Sequence, residues 1–237
     1  EFIVSSIPNA QTISIVHPIT PTIPITVLPL FLAISLKFHL VDNDDYFISK
    51  ESAADNLQTL KKKSFKSKLA LCHIRFKTHG PTAIENCHPF IKQDIKGIQW
   101  SLIHNGYISD NADTMSLGEI QKGETDSERI LLYLVETVNS FYEHAWILNP
   151  SEYMFQLYAQ LEYACNELSR LGKTNLIFTD SLTNNMYVYM NHANTLYYLK
   201  DACGYHISTT KLSNDAGWSP IQPHRLYIIN NGEVVEY

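Results

Sequence analysis

Apolar residues recur at the spacing of an α-helix in two segments of the second half of the chain. The first segment lies between Thr125 and Trp146, with apolar positions at Ile130, Leu131, Leu134, Val135, Val138 and Tyr142. Thr125 and Glu128 have the spacing of a capping box, which predicts that this helix begins at Thr125. A similar stripe predicts a second helix over Ser151–Leu171, and Gly172 stands where a helix stop is expected.

Shorter apolar segments predict strands before and after these helices. The predicted strands are Phe2–Ser6, Val27–Phe38, Leu69–Phe76, Ile98–Ile103, Asn175–Thr179, Met186–Met190, Thr195–Leu199, His206–Thr209 and Leu226–Ile229. A short helix is predicted over Glu51–Leu60. Asn105-Gly106 predicts a tight turn after the fourth strand, since both residue types tolerate positive φ. Strands, two helices and strands again indicate an α+β fold with helices packed on antiparallel sheet, in a single domain over residues 1–237.

The first 36 residues have an unusual composition. Phe2 to Leu36 contains no Asp, Glu, Lys or Arg but five prolines, at positions 8, 18, 21, 24 and 29. Because prolines at this density interrupt a helix repeatedly, a membrane span is disfavoured and an extended segment is expected. Docking of this Pro-Ile-Thr segment on another protein is an alternative. The chain begins at Glu1 rather than Met, so we expect that residues preceded Glu1 in the gene product.

The composition is that of a globular protein. Of the 237 residues, 45% are apolar and 18% charged, which is enough apolar material for a substantial core. A formal net charge of −6 argues against nucleic acid as a ligand. Four cysteines without a CxxC spacing predict neither a disulfide scaffold nor a zinc site, so reduced thiols and a cytoplasmic location are expected. No metal and no cofactor are expected.

Three groups in the middle of the chain have complementary chemistry. Arg75, at a predicted strand end, offers a planar fork that suits a carboxylate. Asn105 offers a side-chain amide and Gly106 a backbone N–H, the two kinds of donor that stabilise a tetrahedral oxyanion. Asp126, in the first turn of a predicted helix, could pair with an ammonium group. Singly, these residues could form an ion pair, a plain turn and a helix cap. Together they could hold an amino acid with a side-chain acyl group.

Four short motifs follow one another between residues 73 and 128. They consist of His73, Arg75, Thr78 and Gly80; Glu85, Asn86, His88, Pro89 and Phe90; Trp100, His104, Asn105, Gly106 and Ile108; and Gly123, Thr125, Asp126, Ser127 and Glu128. In this order they resemble the class II glutamine amidotransferases of the N-terminal nucleophile (Ntn) hydrolase superfamily. The match is closest to the short, stand-alone, glutaminase-like branch.

The resemblance implies a four-layer αββα sandwich of two antiparallel sheets and a role for each motif. Arg75 would bind the α-carboxylate of glutamine, assisted by Thr78 and His79. Asp126 would bind the α-ammonium group, and Asn105 with the Gly106 amide would form the oxyanion hole. The family's nucleophile is an N-terminal cysteine thiolate that uses its own α-amine as the proton shuttle.

The sequence departs from the family pattern in two places. Position 1 is Glu1 rather than cysteine, so we expect the nucleophilic cysteine directly before Glu1. The family's Gly-Trp-Gly-Ile element is replaced by Phe31-Leu32-Ala33-Ile34 in the charge-free segment. The expected activity is hydrolysis or transfer of the amide of glutamine or of a γ-glutamyl compound, with an ammonia-accepting partner protein as a candidate partner. The alternative is a catalytically inactive, glutamine-binding or regulatory protein.

Overall fold

The computed structural model describes residues 2–6, 12–14, 35–40, 45–49, 64–66, 69–75, 84–109, 120–202, 204–211 and 217–237. The predicted helix over 51–60 lies outside these residues, as do Thr78 and His79. The strands are β1 Phe2–Ser6, β2 Thr12–Ser14, β3 Ser35–Leu40, β4 Asp45–Ser49, β5 Ser64–Lys66, β6 Leu69–Arg75, β7 Phe90–Gln93, β8 Gln99–Ile108, β9 Gly172–Asp180, β10 Met186–Met190, β11 Tyr197–Asp201, β12 Gly204–Ser208, β13 Ser219–Pro220, β14 Tyr227–Asn230 and β15 Glu233–Val235. The α-helices are α1 Asp126–His144 and α2 Pro150–Ser169, and two 3₁₀ helices cover Ile84–Asn86 and Ala145–Ile147.

The strands form two large antiparallel sheets and a small ribbon. A seven-stranded sheet has the order β13-β11-β12-β1-β6-β3-β4, and a six-stranded sheet has the order β15-β14-β10-β9-β8-β7. The ribbon pairs β2 with β5. In the first sheet β1 lies between β12 and β6, with Phe2 opposite His73. In the second sheet β8 pairs with β9 along its whole length. The α+β prediction with two antiparallel sheets is confirmed.

Side chains of the six-stranded sheet alternate between two apolar cores. Ile103 and Ile177 belong to a core shared with Leu69 and Leu71 of β6, so this core lies between the two sheets. Their neighbours in sequence, Leu102, Leu176 and Phe178 among them, belong to a core with the apolar faces of α1 and α2. This period of two is what a strand between two apolar layers requires. The six-stranded sheet therefore separates the sheet–sheet core from the helical layer.

Several predicted elements have the expected bounds. β1 and β10 coincide with their predicted ranges, and α1 and α2 begin within a residue of the predicted starts. α2 ends at Ser169, and Gly172 opens β9 instead of stopping the helix, so that detail of the prediction was wrong. A Cβ atom on Gly172 would overlap the carbonyl oxygen of Tyr107. The close approach of two strands, not a helix end, therefore accounts for this glycine.

The predicted Asn105-Gly106 turn was also wrong. Both residues lie inside β8, which continues to Ile108, and they pair with Asn175 and Thr174 of β9. Gly106 is not among the glycines with positive φ. A Cβ atom there would overlap the Lys173 carbonyl oxygen. Glycine is therefore required at position 106 because β8 and β9 approach closely, and not because the chain turns. Long-range pairing has overridden the local preference of this dipeptide.

No helix in the described part of the chain combines the length and the apolarity needed to cross a membrane.

Candidate active site

One edge of β8 carries backbone N–H groups that β9 does not use. The N–H of Ser109 donates to Leu171 O, and the N–H of Ser181 donates to Gln99 O, each at 2.9 Å. Odd-numbered residues of β8 therefore bond to β9, and the even-numbered ones face the opposite edge. Among the described strands, β7 covers that opposite edge only as far as its pair Phe90↔Leu102. The N–H groups of Gly106 and Ile108 thus lie along one edge beyond the end of β7.

Asp126 lies at this same edge of β8. Its Oδ2 accepts the Ile108 N–H at 2.9 Å. Asp126 is the first residue of α1, and its side chain is half-buried. A carboxylate is favoured there because the first turn of a helix is the positive end of its dipole. The structure therefore places the Asp126 carboxylate two residues along the strand edge from the Gly106 amide.

The Asn105 side chain lies on the other side of β8 from the helices. By strand alternation it shares the face of Ile103, toward the seven-stranded sheet. Its Oδ1 accepts a hydrogen bond of 3.1 Å from Asn175 Nδ2, directly across the β8–β9 pair. Asn105 is half-buried. With Oδ1 held by Asn175, the Nδ2 group is the end of the amide that faces away from β9.

The loop before α1 is tied down by hydrogen bonds to its backbone. Thr125 Oγ1 accepts the Glu128 N–H at 3.4 Å, which confirms Thr125 as the N-cap. The Glu128 carboxylate accepts the N–H groups of Lys122 at 2.9 Å and Gly123 at 2.7 Å. The Glu128 carboxylate therefore accepts hydrogen bonds from the loop backbone. In a full capping box it would accept the backbone N–H of the N-cap residue Thr125 instead. Asn86 Oδ1 accepts the Glu124 N–H at 2.8 Å, so the second motif also anchors this loop.

His104 connects β8 to the start of α1. It is 2% exposed, with Nε2 at 3.2 Å from Lys173 O and Nδ1 at 2.9 Å from Ser127 Oγ. Because a carbonyl only accepts, Nε2 carries the proton, and a neutral ring then accepts the Ser127 hydroxyl at Nδ1. Burial lowers the pKa of His104, against the opposing effect of the Asp126 charge. A neutral His104 thus fixes Ser127, the residue next to Asp126.

The first two motifs meet through histidine rings. His73 of β6 and His88 have ring centroids 4.1 Å apart, and His88 is 4.8 Å from the ring of Phe90, where β7 begins. Arg75 ends β6 with Ser35 of β3 opposite. The structure therefore brings the strand that carries Arg75 next to the segment that leads into β7. The Arg75 side chain lies outside the described part of the chain.

The internal cysteines that the structure describes have the properties of structural residues. Burial raises the pKa of the Cys72 thiol to about 12, and burial also raises the pKa of the Cys165 thiol. A thiol with a raised pKa holds little thiolate, which is the nucleophilic form. Cys87 is buried, and Cys203 lies outside the described residues. Within the described ranges, no three His, Cys, Asp or Glu side chains come together as a metal site.

A family model described as "Glutamine amidotransferases class-II" matches residues 44–206, more than two thirds of the chain. The chain belongs to the class II glutamine amidotransferases. The match spans all four motifs and the paired strands β8 and β9, so the resemblance of the motifs to this family is confirmed. Asn105, Gly106 and Asp126, which the structure brings to one strand, all fall within the matched region.

Curated relatives of this amidotransferase are similar at moderate identity. A Haemophilus influenzae protein named for its assignment to the glutamine amidotransferases is 25% identical over 197 residues, which cover 74% of this chain and 65% of that protein. The glutamine–fructose-6-phosphate aminotransferase (isomerizing) of Lactiplantibacillus plantarum is 27% identical over 128 residues, 49% of this chain and 20% of that enzyme. The chain therefore spans less than two thirds of the length of either relative.

Solved structures share the fold. A protein of Pseudomonas aeruginosa PA01, described as a predicted glutamine amidotransferase, has a TM-score of 0.69 at 20% identity, with both chains fully covered. The glutamine phosphoribosylpyrophosphate amidotransferase of B. subtilis has a TM-score of 0.62 at 15% identity, covering 99% of this chain and 48% of that one. Together with the two antiparallel sheets, these similarities establish the Ntn-hydrolase fold of the glutamine amidotransferases.

Sequence reasoning missed the residues that support the predicted site. No role was predicted for three of them. Asn175 contacts Asn105, His104 contacts the β9 backbone, and Ser127 contacts Asp126. Asn175 carried a usable signal, because it is a polar residue directly before the apolar run Leu176-Ile177-Phe178. A polar side chain in a strand between two cores requires a hydrogen-bond partner.

Proposed function

We propose that this protein hydrolyses the side-chain amide of glutamine, or of a γ-glutamyl compound, and releases ammonia to solvent or to an ammonia-accepting partner protein. The observation that carries the proposal is the edge of β8. It combines a Gly106 N–H that faces away from β9, an Asn105 amide anchored by its oxygen, and the Asp126 carboxylate two residues away. We further propose that residues 1–237 act as a single domain in the cytoplasm.

The proposed substrate contacts follow from charge. The Asp126 carboxylate is half-exposed and would pair with the α-ammonium of the substrate. Arg75 would take the α-carboxylate, with Thr78 and His79 beside it. Because both ends of the α-amino acid are held, the γ-amide is directed to one place. These contacts recognise only the glutamyl end, so a γ-glutamyl compound fits as well as free glutamine.

The proposed nucleophile is a cysteine directly before Glu1. β1 and β6 are antiparallel, and Phe2 lies opposite His73. Each residue before Phe2 would therefore lie opposite the next residue after His73. Continued by two positions, this register would put a cysteine before Glu1 opposite Arg75, at the proposed substrate end of the strand. The high pKa of Cys72 supports the same conclusion, because it argues against that internal thiol.

The proposed reaction proceeds through a thioester. The α-amine of the cysteine takes the thiol proton, and the thiolate attacks the amide carbon. The carbonyl oxygen becomes an oxyanion that accepts hydrogen bonds from the Gly106 N–H and Asn105 Nδ2. Collapse of this intermediate breaks the C–N bond, and the α-ammonium returns the proton so that ammonia leaves. Water then attacks the thioester, giving a glutamate γ-carboxyl group and the free thiol.

Steady-state release of glutamate and ammonia tests the proposal on protein that carries the preceding cysteine. Cysteine-to-alanine at that position is expected to abolish release. Asn105→Ala is expected to lower kcat by about 10²–10³-fold, since that is the usual effect of removing one oxyanion donor. If glutamine binds to the cysteine-containing protein without turnover, the protein is instead an inactive glutamine-binding member of the family.

A further inference from the structure

Asn175 is a fully buried polar residue whose side chain, among the described residues, forms hydrogen bonds with Thr195 and Asn105. It has 0% exposure and lies on β9, between the two sheets and directly opposite Asn105. Its Nδ2 donates to Asn105 Oδ1 and to the Thr195 carbonyl oxygen, each at 3.1 Å. Its Oδ1 lies 2.9 Å from the Thr195 hydroxyl, whose single proton is shared with the His192 carbonyl oxygen at 2.6 Å. These bonds offset the cost of burying an amide, and all of them run to Thr195 or to Asn105.

The partners of Asn175 determine which way both amides point. The Thr195 carbonyl can only accept, so the NH₂ end of Asn175 must face it. The second proton of the same NH₂ group then points across the strand pair. Asn105 must present an acceptor to this proton, which fixes its Oδ1 toward β9. Its own NH₂ group is consequently turned away from β9.

We propose that Asn175 is a positioning residue that holds the Asn105 amide with its NH₂ end toward the reacting carbonyl. The inference rests on the proposed function, because it assumes that Asn105 is an oxyanion donor. An amide that can rotate presents oxygen as readily as NH₂, and oxygen would repel an oxyanion. The backbone carbonyl of Thr195 therefore sets the polarity of the oxyanion hole through two successive amide side chains.

A purely structural role would predict different behaviour. Asn175 also ties the residues before β11 to β9, through Thr195, and that tie could contribute stability alone. A structural residue would affect melting temperature and substrate binding without changing how the transition state is stabilised. A positioning residue changes kcat and the binding of an oxyanion-forming analogue in step, and leaves KM nearly unchanged.

The test compares Asn175→Leu with Asn185→Leu. Asn185 is a matched control because it is 2% exposed and donates its amide to Tyr158 and Tyr187 hydroxyls, away from Asn105. Leu has the same number of side-chain heavy atoms and the same branching at Cγ, and it replaces the amide by two methyl groups. We expect Asn175→Leu to lower kcat about 10- to 100-fold, below the full loss of a donor. Affinity for the aldehyde analogue of glutamine, whose thiol adduct carries an oxyanion-like oxygen, is expected to fall by the same factor. Asn185→Leu is expected to lower the melting temperature with kcat within about twofold of the wild type.

A double-mutant cycle tests whether the effect of Asn175 on kcat is transmitted through Asn105. If Asn175 acts through Asn105, Asn175→Leu changes kcat by less than about twofold in the Asn105→Ala background. Equal losses of kcat in both backgrounds would overturn the proposal, as would a folded Asn175→Leu variant with unchanged kcat and aldehyde affinity.

Side-chain amide hydrogen exchange by NMR tests the orientation without any turnover. The Asn105 Nδ2 protons are expected to exchange fast with solvent, and the Asn175 Nδ2 protons slowly. Protected Asn105 protons would overturn the orientation. If the wild type neither turns over glutamine nor binds the aldehyde, the proposed function fails, and this exchange pattern still decides which way the Asn105 amide points.

Discussion

The Asp126 carboxylate and the Ile108 backbone N–H are joined by a hydrogen bond of 2.9 Å. This bond fixes the first residue of α1 against the edge of β8. The other carboxylate oxygen of Asp126 lies 3.3 Å from the Ser127 hydroxyl, which also contacts His104. The carboxylate of a helix residue is thus bonded to the strand on which the candidate site is built, and it remains half-exposed.

Asp126→Asn is expected to raise KM for glutamine by about 10- to 100-fold, because it removes a charge-assisted bond to the substrate ammonium. The asparagine oxygen can still accept the Ile108 N–H, so stability should change little. Steady-state kinetics with glutamine provide the measurement. Glu152→Gln is the control, because Glu152 is also a first-turn carboxylate, on α2, and accepts the Asn149 N–H. An unchanged KM in Asp126→Asn would remove Asp126 from the substrate site.

Gly106→Ala is expected to remove activity and to destabilise the fold by about 1–3 kcal/mol. The added methyl group would overlap the Lys173 carbonyl oxygen and lie 2.7 Å from His104 Nε2, so β8 and β9 must move apart. Gly97→Ala is the comparison, since its Cβ meets no atom within 4 Å and its cost comes from a φ of +78°. Urea unfolding and kcat are measured on both. Wild-type kcat in Gly106→Ala would contradict the place of this amide in the oxyanion hole.

The buried His104 is expected to make stability depend on pH below about 6.5, the ordinary pKa of histidine. Burial lowers the pKa of His104 in the folded protein. As pH falls below 6.5 the unfolded chain therefore binds a proton that the folded chain does not, and stability decreases. The slope from this group approaches about 1.4 kcal/mol per pH unit.

Unfolding free energies between pH 5 and pH 7 measure this effect. His104→Gln should flatten the dependence, because glutamine can donate to Lys173 O and does not titrate. His192→Gln, at an exposed position, should keep the wild-type slope. Equal slopes in the wild type and His104→Gln would show that this ring is not the group responsible.

Cys72→Ala is expected to leave kcat for glutamine within about twofold of the wild type. Burial raises the pKa of this thiol to about 12, so at neutral pH it holds almost no thiolate. The cost should appear in thermal stability alone. Loss of turnover in a folded Cys72→Ala protein would mean that an internal thiol takes part in the reaction.

Local signals predicted some parts of the molecule well. The apolar stripe and the Thr125 N-cap placed α1, because helix periodicity and capping depend on residues within a few positions of each other. The order of the motifs identified the family. In contrast, the Asn105-Gly106 dipeptide predicted a turn, because nothing nearby in sequence reveals that β9 pairs with it.

The rest depends on contacts between residues distant along the chain. Asn105 and Asn175 are 70 residues apart, and His104 and Lys173 are 69 apart. The spacing of apolar and polar residues along the sequence cannot predict contacts between residues that are so far apart. The Glu128 carboxylate, predicted to satisfy the N-cap amide, bonds instead to the folded-back loop at Lys122 and Gly123. Sequence patterns therefore indicated candidate site residues, but they did not predict the hydrogen bonds that hold those residues in place.

The proposed N-terminal cysteine nucleophile is tested by the intact mass of the native protein before and after treatment with 6-diazo-5-oxo-L-norleucine. This glutamine analogue alkylates a thiolate at its diazo carbon with loss of N₂. We expect a residue before Glu1 with the mass of cysteine, and one stoichiometric adduct that peptide mapping places on it. Excess glutamine should slow the labelling, because both compounds occupy one site. If the protein carries the cysteine and forms no adduct, or if it is labelled at Cys72, Cys87 or Cys165, the N-terminal cysteine is not the nucleophile.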